Sequence, residues 1–141
     1  MEMISSTWRF DSDGPLTGCG VDMESATRFS GLAATDESVM PFVFSARELD
    51  HARRQPAPNR ALCISFTCKE ALRKALDRPY NFTECETFPV ADKETVAWEG
   101  ALHLSESTAV RGFRAFARST VNPLVPDEWV TAVMLIAEEA P

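Results

Sequence analysis

No apolar run in this chain approaches the ~20 residues that span a bilayer. The longest, residues 130–137, is itself interrupted by Thr131. Nor does the start, Met1-Glu2-Met3-Ile4-Ser5-Ser6, carry the basic end and apolar stretch of a leader. A cytoplasmic protein that does not enter a membrane is therefore expected. Positive charge is in deficit, with 14 Lys and Arg against 21 Asp and Glu and a net charge of −7, which argues against a nucleic-acid binder. Histidine is scarce. The two present, His51 and His103, join four cysteines that form no Cys-x-x-Cys, a poor supply for zinc. Cys19 and Cys63 lie in apolar stretches and are expected as small core residues; disulfides are not expected in the cytoplasm.

What is present fits one ordinary folded unit over residues 1–141. The chain is 45% hydrophobic and 25% charged, proportions of a globular domain, and this length suffices for a sizeable core without staples. Charge is unevenly placed. Residues 47–78 hold eight Lys and Arg against four Asp and Glu, a basic segment able to steer an acidic partner or an anionic ligand; a solvated mixed-charge helix face is the plainer alternative.

Residues 3–10 read as a strand and Asp11-Ser12-Asp13-Gly14-Pro15 as a turn, with residues 16–21 returning as the second strand of a hairpin. Glycines at 18 and 20 would admit another backbone at close range. From Glu24, the positions of Ala26, Phe29 and Leu32 suggest a short helix closed near Gly31. Ser45-Ala46-Arg47-Glu48 has the capping-box spacing of a helix running toward Arg54, and residues 59–76 form the longest helical stripe, stopped by Asp77-Arg78-Pro79. Residues 82–90 and 95–104 read as strands, 107–118 as helix or irregular chain, 122–127 as a turn and 129–137 as the last strand. The expected fold is α+β: a small antiparallel sheet packed with helices in a single lobe.

Two stretches carry the chemistry. Gly18-Cys19-Gly20-Val21-Asp22-Met23-Glu24 places two carboxylates two positions apart at the expected end of a strand. Phe66-Thr67-Cys68-Lys69-Glu70-Ala71-Leu72-Arg73-Lys74-Ala75-Leu76 places Glu70 and Lys74 one helical turn apart, with Lys69 and Arg73 beside them. Carboxylates that gather Mg²⁺ next to cations that hold phosphate are the parts of a phosphoryl-type transfer. Each also has an ordinary reading: acids suit the first turn of a helix, Glu70 to Lys74 is a common i,i+4 pair, and Lys69 serves equally as a solvated or a phosphate-facing cation.

Taken in this order, Gly-x-Gly-x-Asp-x-Glu followed by Phe-Thr-x-Lys-Glu-Ala-x-x-Lys-Ala resembles the 4′-phosphopantetheinyl transferases, which move the phosphopantetheine arm of coenzyme A onto a serine of a carrier protein. The single-domain length resembles the holo-acyl-carrier-protein synthase branch, and Arg28 and Phe44-Ser45-x-x-Glu48-Leu49 add to the likeness. The resemblance implies Mg²⁺ ligation by Asp22 and Glu70. Glu24 stands as a third acid at the spacing of the larger, two-lobed branch. It further implies coenzyme A phosphates on Lys74 with Lys69 and Arg73 nearby, catalytic roles for Glu70 and Lys74, and an acyl or peptidyl carrier protein docked on Arg28 with Arg47, Arg53 and Arg54. A homotrimer is implied by the short branch, a dimer being the alternative. One departure stands out: the short branch carries a Ser-x-x-His element before its last strand, where this chain has Val125-Pro126-Asp127-Glu128.

Overall fold

The computed structural model describes residues 16–31, 40–107 and 109–138. The strand expected at residues 3–10 and the turn after it lie outside the described residues. Five strands, β1 (Leu16–Ser25), β2 (Cys85–Glu86), β3 (Ala97–Leu104), β4 (Phe113–Val121) and β5 (Glu128–Ala137), form one antiparallel sheet in the order β1-β5-β4-β3-β2. Among the described residues two helices, α1 (Ala46–Arg53) and α2 (Pro58–Leu76), accompany the sheet, so the fold is the expected α+β arrangement. Among the described residues no helix is long and apolar enough to cross a membrane.

Period-2 alternation decides what each strand shows to α2. On β1 the even positions, Gly18, Gly20, Asp22 and Glu24, share the face toward the helix. A Cβ added at Gly18 or Gly20 would collide with the backbone oxygens of Ala75 or Ala71, so the two glycines let α2 lie directly on the strand. The odd positions face away, which is why Cys19 is exposed rather than in the core; Cys63, on the buried side of α2, is fully enclosed. The core lies between α2 and the sheet, with Leu62, Ile64 and Leu72 against Trp129, Val133 and Leu135. Beneath Asp22, whose register partner is Thr131, the hydroxyls of Thr67, Thr131 and Ser119 form a buried chain at 2.6 and 2.7 Å.

The ends of the helices are set locally. Ser45 Oγ accepts the Glu48 N–H at 3.1 Å while Glu48 Oε1 accepts the Ser45 N–H at 3.0 Å, the reciprocal cap expected. Pro58 sits in the first turn of α2 and Asp77, with φ 53°, ends it.

Besides the placement of Cys19, three expectations are corrected. β1 runs through Asp22 to Ser25, and the chain then makes a single 3₁₀ turn, Ala26–Phe29; Asp22 does not end the strand and Glu24 does not open a helix. Residues 82–90 are mostly irregular, with a 3₁₀ turn at Phe82–Glu84 and a two-residue strand. Side chains satisfy the backbone there: Lys69 takes the carbonyls of Phe82 and Cys85, and Glu48 takes the Thr87 N–H. Residues 113–121 are strand, with Ala115, Ala117 and Ser119 buried and Arg114, Phe116 and Arg118 on the opposite face.

Candidate active site

The two motifs meet where α2 crosses β1. Lys74 Nζ donates to the Val21 carbonyl at 2.9 Å and to Asp22 Oδ1 at 3.2 Å, joining strand to helix across 52 residues of sequence. One turn earlier on α2, Glu70 Oε2 accepts from Arg73 Nη2 at 3.0 Å. Asp22 and Glu70 are largely shielded, while Lys74 and Arg73 are about half exposed. Two carboxylate–cation pairs, Asp22 with Lys74 and Glu70 with Arg73, thus lie where α2 meets β1, an edge strand of the sheet. The donors are hard carboxylate oxygens, the chemistry that suits Mg²⁺.

Glu24 belongs to a neighbouring arrangement. Its Oε1 accepts the Ser25 N–H at 3.0 Å and its Oε2 pairs with Arg28 Nη1 at 2.6 Å. The Arg28 guanidinium lies 5.0 Å from the centre of the Phe66 ring and 5.9 Å from that of Phe29. Among the described residues no three His, Cys, Asp or Glu side chains are grouped to hold a metal, so the expected three-acid set is not assembled; Glu24 is engaged with Arg28 instead.

Lys69 is the clearest correction. It is fully buried, and its ammonium donates to Glu48 Oε1 at 2.9 Å, to the Phe82 carbonyl at 2.7 Å and to the Cys85 carbonyl. All three protons are used, leaving none for a phosphate. The same helix turn that points Glu70 and Lys74 outward points Lys69 into the protein. Glu48, also buried, accepts from Ser65 Oγ at 2.8 Å, so the pair ties α1, α2 and the segment before β2 together.

Arg47 and Arg54 line another place: a cavity of about 240 Å³ with Asp50, His51 and Phe88. There Arg47 stacks 5.3 Å from the Phe88 ring centre and reaches Glu86 at 3.4 Å, and Arg54 pairs with Asp50. Arg53 is exposed beside them on α1. Arg28 lies instead with Glu24, Phe29 and Phe66, so among the described residues the four arginines are not gathered into one cluster. Both histidines pack on Phe88, each with ring centres 5.6 Å from it, and His51 Nε2 lies 2.7 Å from the Pro89 carbonyl. The segment Val125-Pro126-Asp127-Glu128, which stands where the short branch has its Ser-x-x-His element, forms the turn into β5 and carries no histidine.

Two residues that support the turn beside the site gave no signal in sequence. Cys63 Sγ donates to the Glu24 carbonyl at 3.5 Å; burial first, and then the Glu24, Asp22 and Asp127 carboxylates, push its thiol well up, so it stays a protonated donor. Arg60 reaches Asp127 from the first turn of α2. Neither residue lies within a motif, and nothing in the spacing announces its partners.

The sequence profile of the 4′-phosphopantetheinyl transferase superfamily matches residues 18–131. No curated protein sequence matches the chain. Among solved structures, the Plasmodium yoelii holo-ACP-synthase is similar at 15% identity and TM-score 0.62, covering 91% of this chain and 100% of its own. The Chronobacterium ammoniagenes ACPS–CoA complex shares 21% identity at TM-score 0.59, covering 86% of this chain and 98% of that one. The Neisseria meningitidis holo-[acyl-carrier-protein] synthase shares 17% identity at TM-score 0.59, with coverage of 86% and 98%. At these identities the likeness is one of fold.

Proposed function

The chain belongs to the 4′-phosphopantetheinyl transferase superfamily, and on that premise we propose that it moves the 4′-phosphopantetheine group of coenzyme A onto a serine of an acyl or peptidyl carrier protein. The observation that carries this reading is the Lys74–Asp22 bridge, which brings the strand motif and the helix motif to one place. Asp22 and Glu70 would hold Mg²⁺, which when bound supplies positive charge beside the pyrophosphate. Lys74, and Arg73 beside it, would face the phosphates and stabilise the departing nucleotide. The carrier serine Oγ attacks the β-phosphorus; its bond to phosphorus forms as the bond to the 3′,5′-ADP oxygen breaks, and the hydroxyl proton passes to the Glu70 carboxylate. Arg28 would meet the carrier's acidic surface, giving orientation and rate more than raw affinity. The α1 arginines would provide a second, separate contact. Self-association into a homotrimer, with a dimer as the alternative, completes the reading.

The test is direct. The protein is mixed with Mg²⁺, coenzyme A and a panel of apo carrier proteins, and the carriers are weighed intact. The expected result is a mass gain of one phosphopantetheine that disappears in EDTA. Asp22→Ala and Glu70→Gln should lose it by about 10²-fold or more while keeping the wild-type thermal transition. Retained turnover in both variants would remove the metal-site assignment. A second reading, a member that binds coenzyme A or a carrier without turnover, draws on the lack of a histidine in Val125-Pro126-Asp127-Glu128 and on the packing of both histidines against Phe88. It predicts a coenzyme A-dependent thermal shift with no mass gain on any carrier.

A further inference from the structure

We propose that Arg60 is a positioning residue for carrier docking: through Asp127 it sets the Ala26–Phe29 turn, and with it the Arg28 guanidinium. The proposal rests on the functional reading above in its last link only. Arg60 stands in the first turn of α2 with most of its side chain out of solvent. Its Nε and Nη2 donate to Asp127 Oδ1 at 3.2 and 3.0 Å. Its Nη1 donates to the carbonyls of Asp92, Lys93 and Thr95 at 3.0, 2.8 and 3.3 Å. One guanidinium thus fixes a helix, the loop before β3 and the turn before β5.

Its partner is held in an unusual shape. Asp127 has φ 60°, a left-handed conformation that a non-glycine residue keeps only when its surroundings impose it. The turn is also tied at its other end, where Asn122 donates its N–H to the Glu128 carbonyl at 2.7 Å and its Nδ2 to Glu128 Oε1 at 2.8 Å. In this shape the Asp127 carbonyl accepts the Ala26 N–H at 2.8 Å. Ala26 is the first residue of the 3₁₀ turn that carries Arg28. The chain of contacts therefore runs Arg60, Asp127, Ala26, Arg28, with Cys63 holding the neighbouring Glu24 carbonyl from below. Lysine cannot replace arginine here, because a single ammonium cannot reach a carboxylate and three carbonyls in the geometry of a planar fork.

The test uses full-length protein and the apo acyl carrier protein that the wild type modifies best. Arg60→Lys should raise the KM for that carrier about five- to tenfold, a hydrogen-bond-sized loss. The KM for coenzyme A and kcat should stay within about twofold, whereas plain unfolding would lower kcat and leave both KM values alone. Because Arg60 acts through Arg28, adding Arg60→Lys to Arg28→Ala should change the carrier KM no further. Independently, amide exchange at Ala26 should quicken about tenfold in Arg60→Lys. It should quicken likewise in Asp127→Gly, which tolerates the positive φ and removes the side chain that Arg60 holds. Independent, multiplying effects of the Arg60 and Arg28 substitutions overturn the proposal, as does unchanged Ala26 protection in both variants. If the wild type modifies no carrier, the functional reading fails, and Ala26 exchange still decides whether Arg60 sets the turn.

Discussion

A cysteine reacts as its thiolate, and the four cysteines here meet very different surroundings. Cys63, Cys68 and Cys85 are buried. Burial is the leading cause that raises each of them: Cys85 is pushed up to about 12, and Cys63 and Cys68 are also held well above the ordinary thiol range. Cys19 lies on the outward face of β1 and is exposed. Mixed with an excess of an aromatic disulfide reagent at about pH 8, near the ordinary thiol pKa, and at a concentration low enough to keep the chain monomeric, the folded protein should release one equivalent quickly and the other three only in denaturant. Cys19→Ser should abolish the fast phase. A second fast equivalent would mean that one of the three buried thiols is reached in solution. In the sequence Cys19 and Cys63 look alike, because both sit among apolar residues. An outward position on an edge strand cannot be told from the inner side of a helix until the register of β1 is known.

The contact between elements that makes the site is a backbone contact. Gly18 and Gly20 were legible as places where another backbone comes close, and α2 is what comes close. A Cβ at Gly20 meets the fixed Ala71 carbonyl, so α2 would have to move away from β1. Gly20→Ala is expected to cost about 3 kcal/mol, the upper part of the range for overpacking, in urea unfolding. Because the shift also separates Lys74 from Asp22, transfer should fall further than the folded fraction does. Gly100→Ala is the control. There the three atoms nearest an added Cβ all belong to the Trp98 ring, a side chain that can turn aside, and the loss should be well under half as large. Equal losses at the two positions would mean that α2 is not seated on those glycines. Other element-level features were hidden for a common reason. Lys69 and Glu48 are 21 residues apart, and neither the capping box nor the helical stripe says that they pair in the interior. β4 was hidden because its inward residues are small, Ala115, Ala117 and Ser119, so the alternation lacks the large apolar side chains by which strands are usually recognised.

At the scale of the whole molecule, among the described residues the sheet has one face covered by a helix and one on which no element packs. α2 lies on the first. On the second, Val21, Met23, Val130, Ala132 and Met134 come together across β1 and β5, as the pairs Val21–Ala132 and Met23–Val130 require. Val21 and Met23 are more than half exposed. An antiparallel sheet with one face toward water ordinarily alternates apolar with polar residues; a contiguous apolar face instead marks an interaction surface. The α+β class and the strand–helix site were readable because alternation, caps and the two motifs are local. Assembly was not, since a strand with apolar residues on its outward side does not say what covers them, and the homotrimer rests on resemblance alone. Light scattering should decide. At tens of micromolar the wild type is expected at three times 15.6 kDa, or 46.8 kDa; twice that unit mass, 31.2 kDa, would favour the dimer. The double variant Val21→Lys/Met134→Lys should run at 15.6 kDa with an unchanged circular dichroism spectrum, because like charges on the bare face repel a second copy without entering the core. A wild type already monomeric at that concentration would leave the apolar face for a different partner, and with it the surface on which a carrier protein should next be sought.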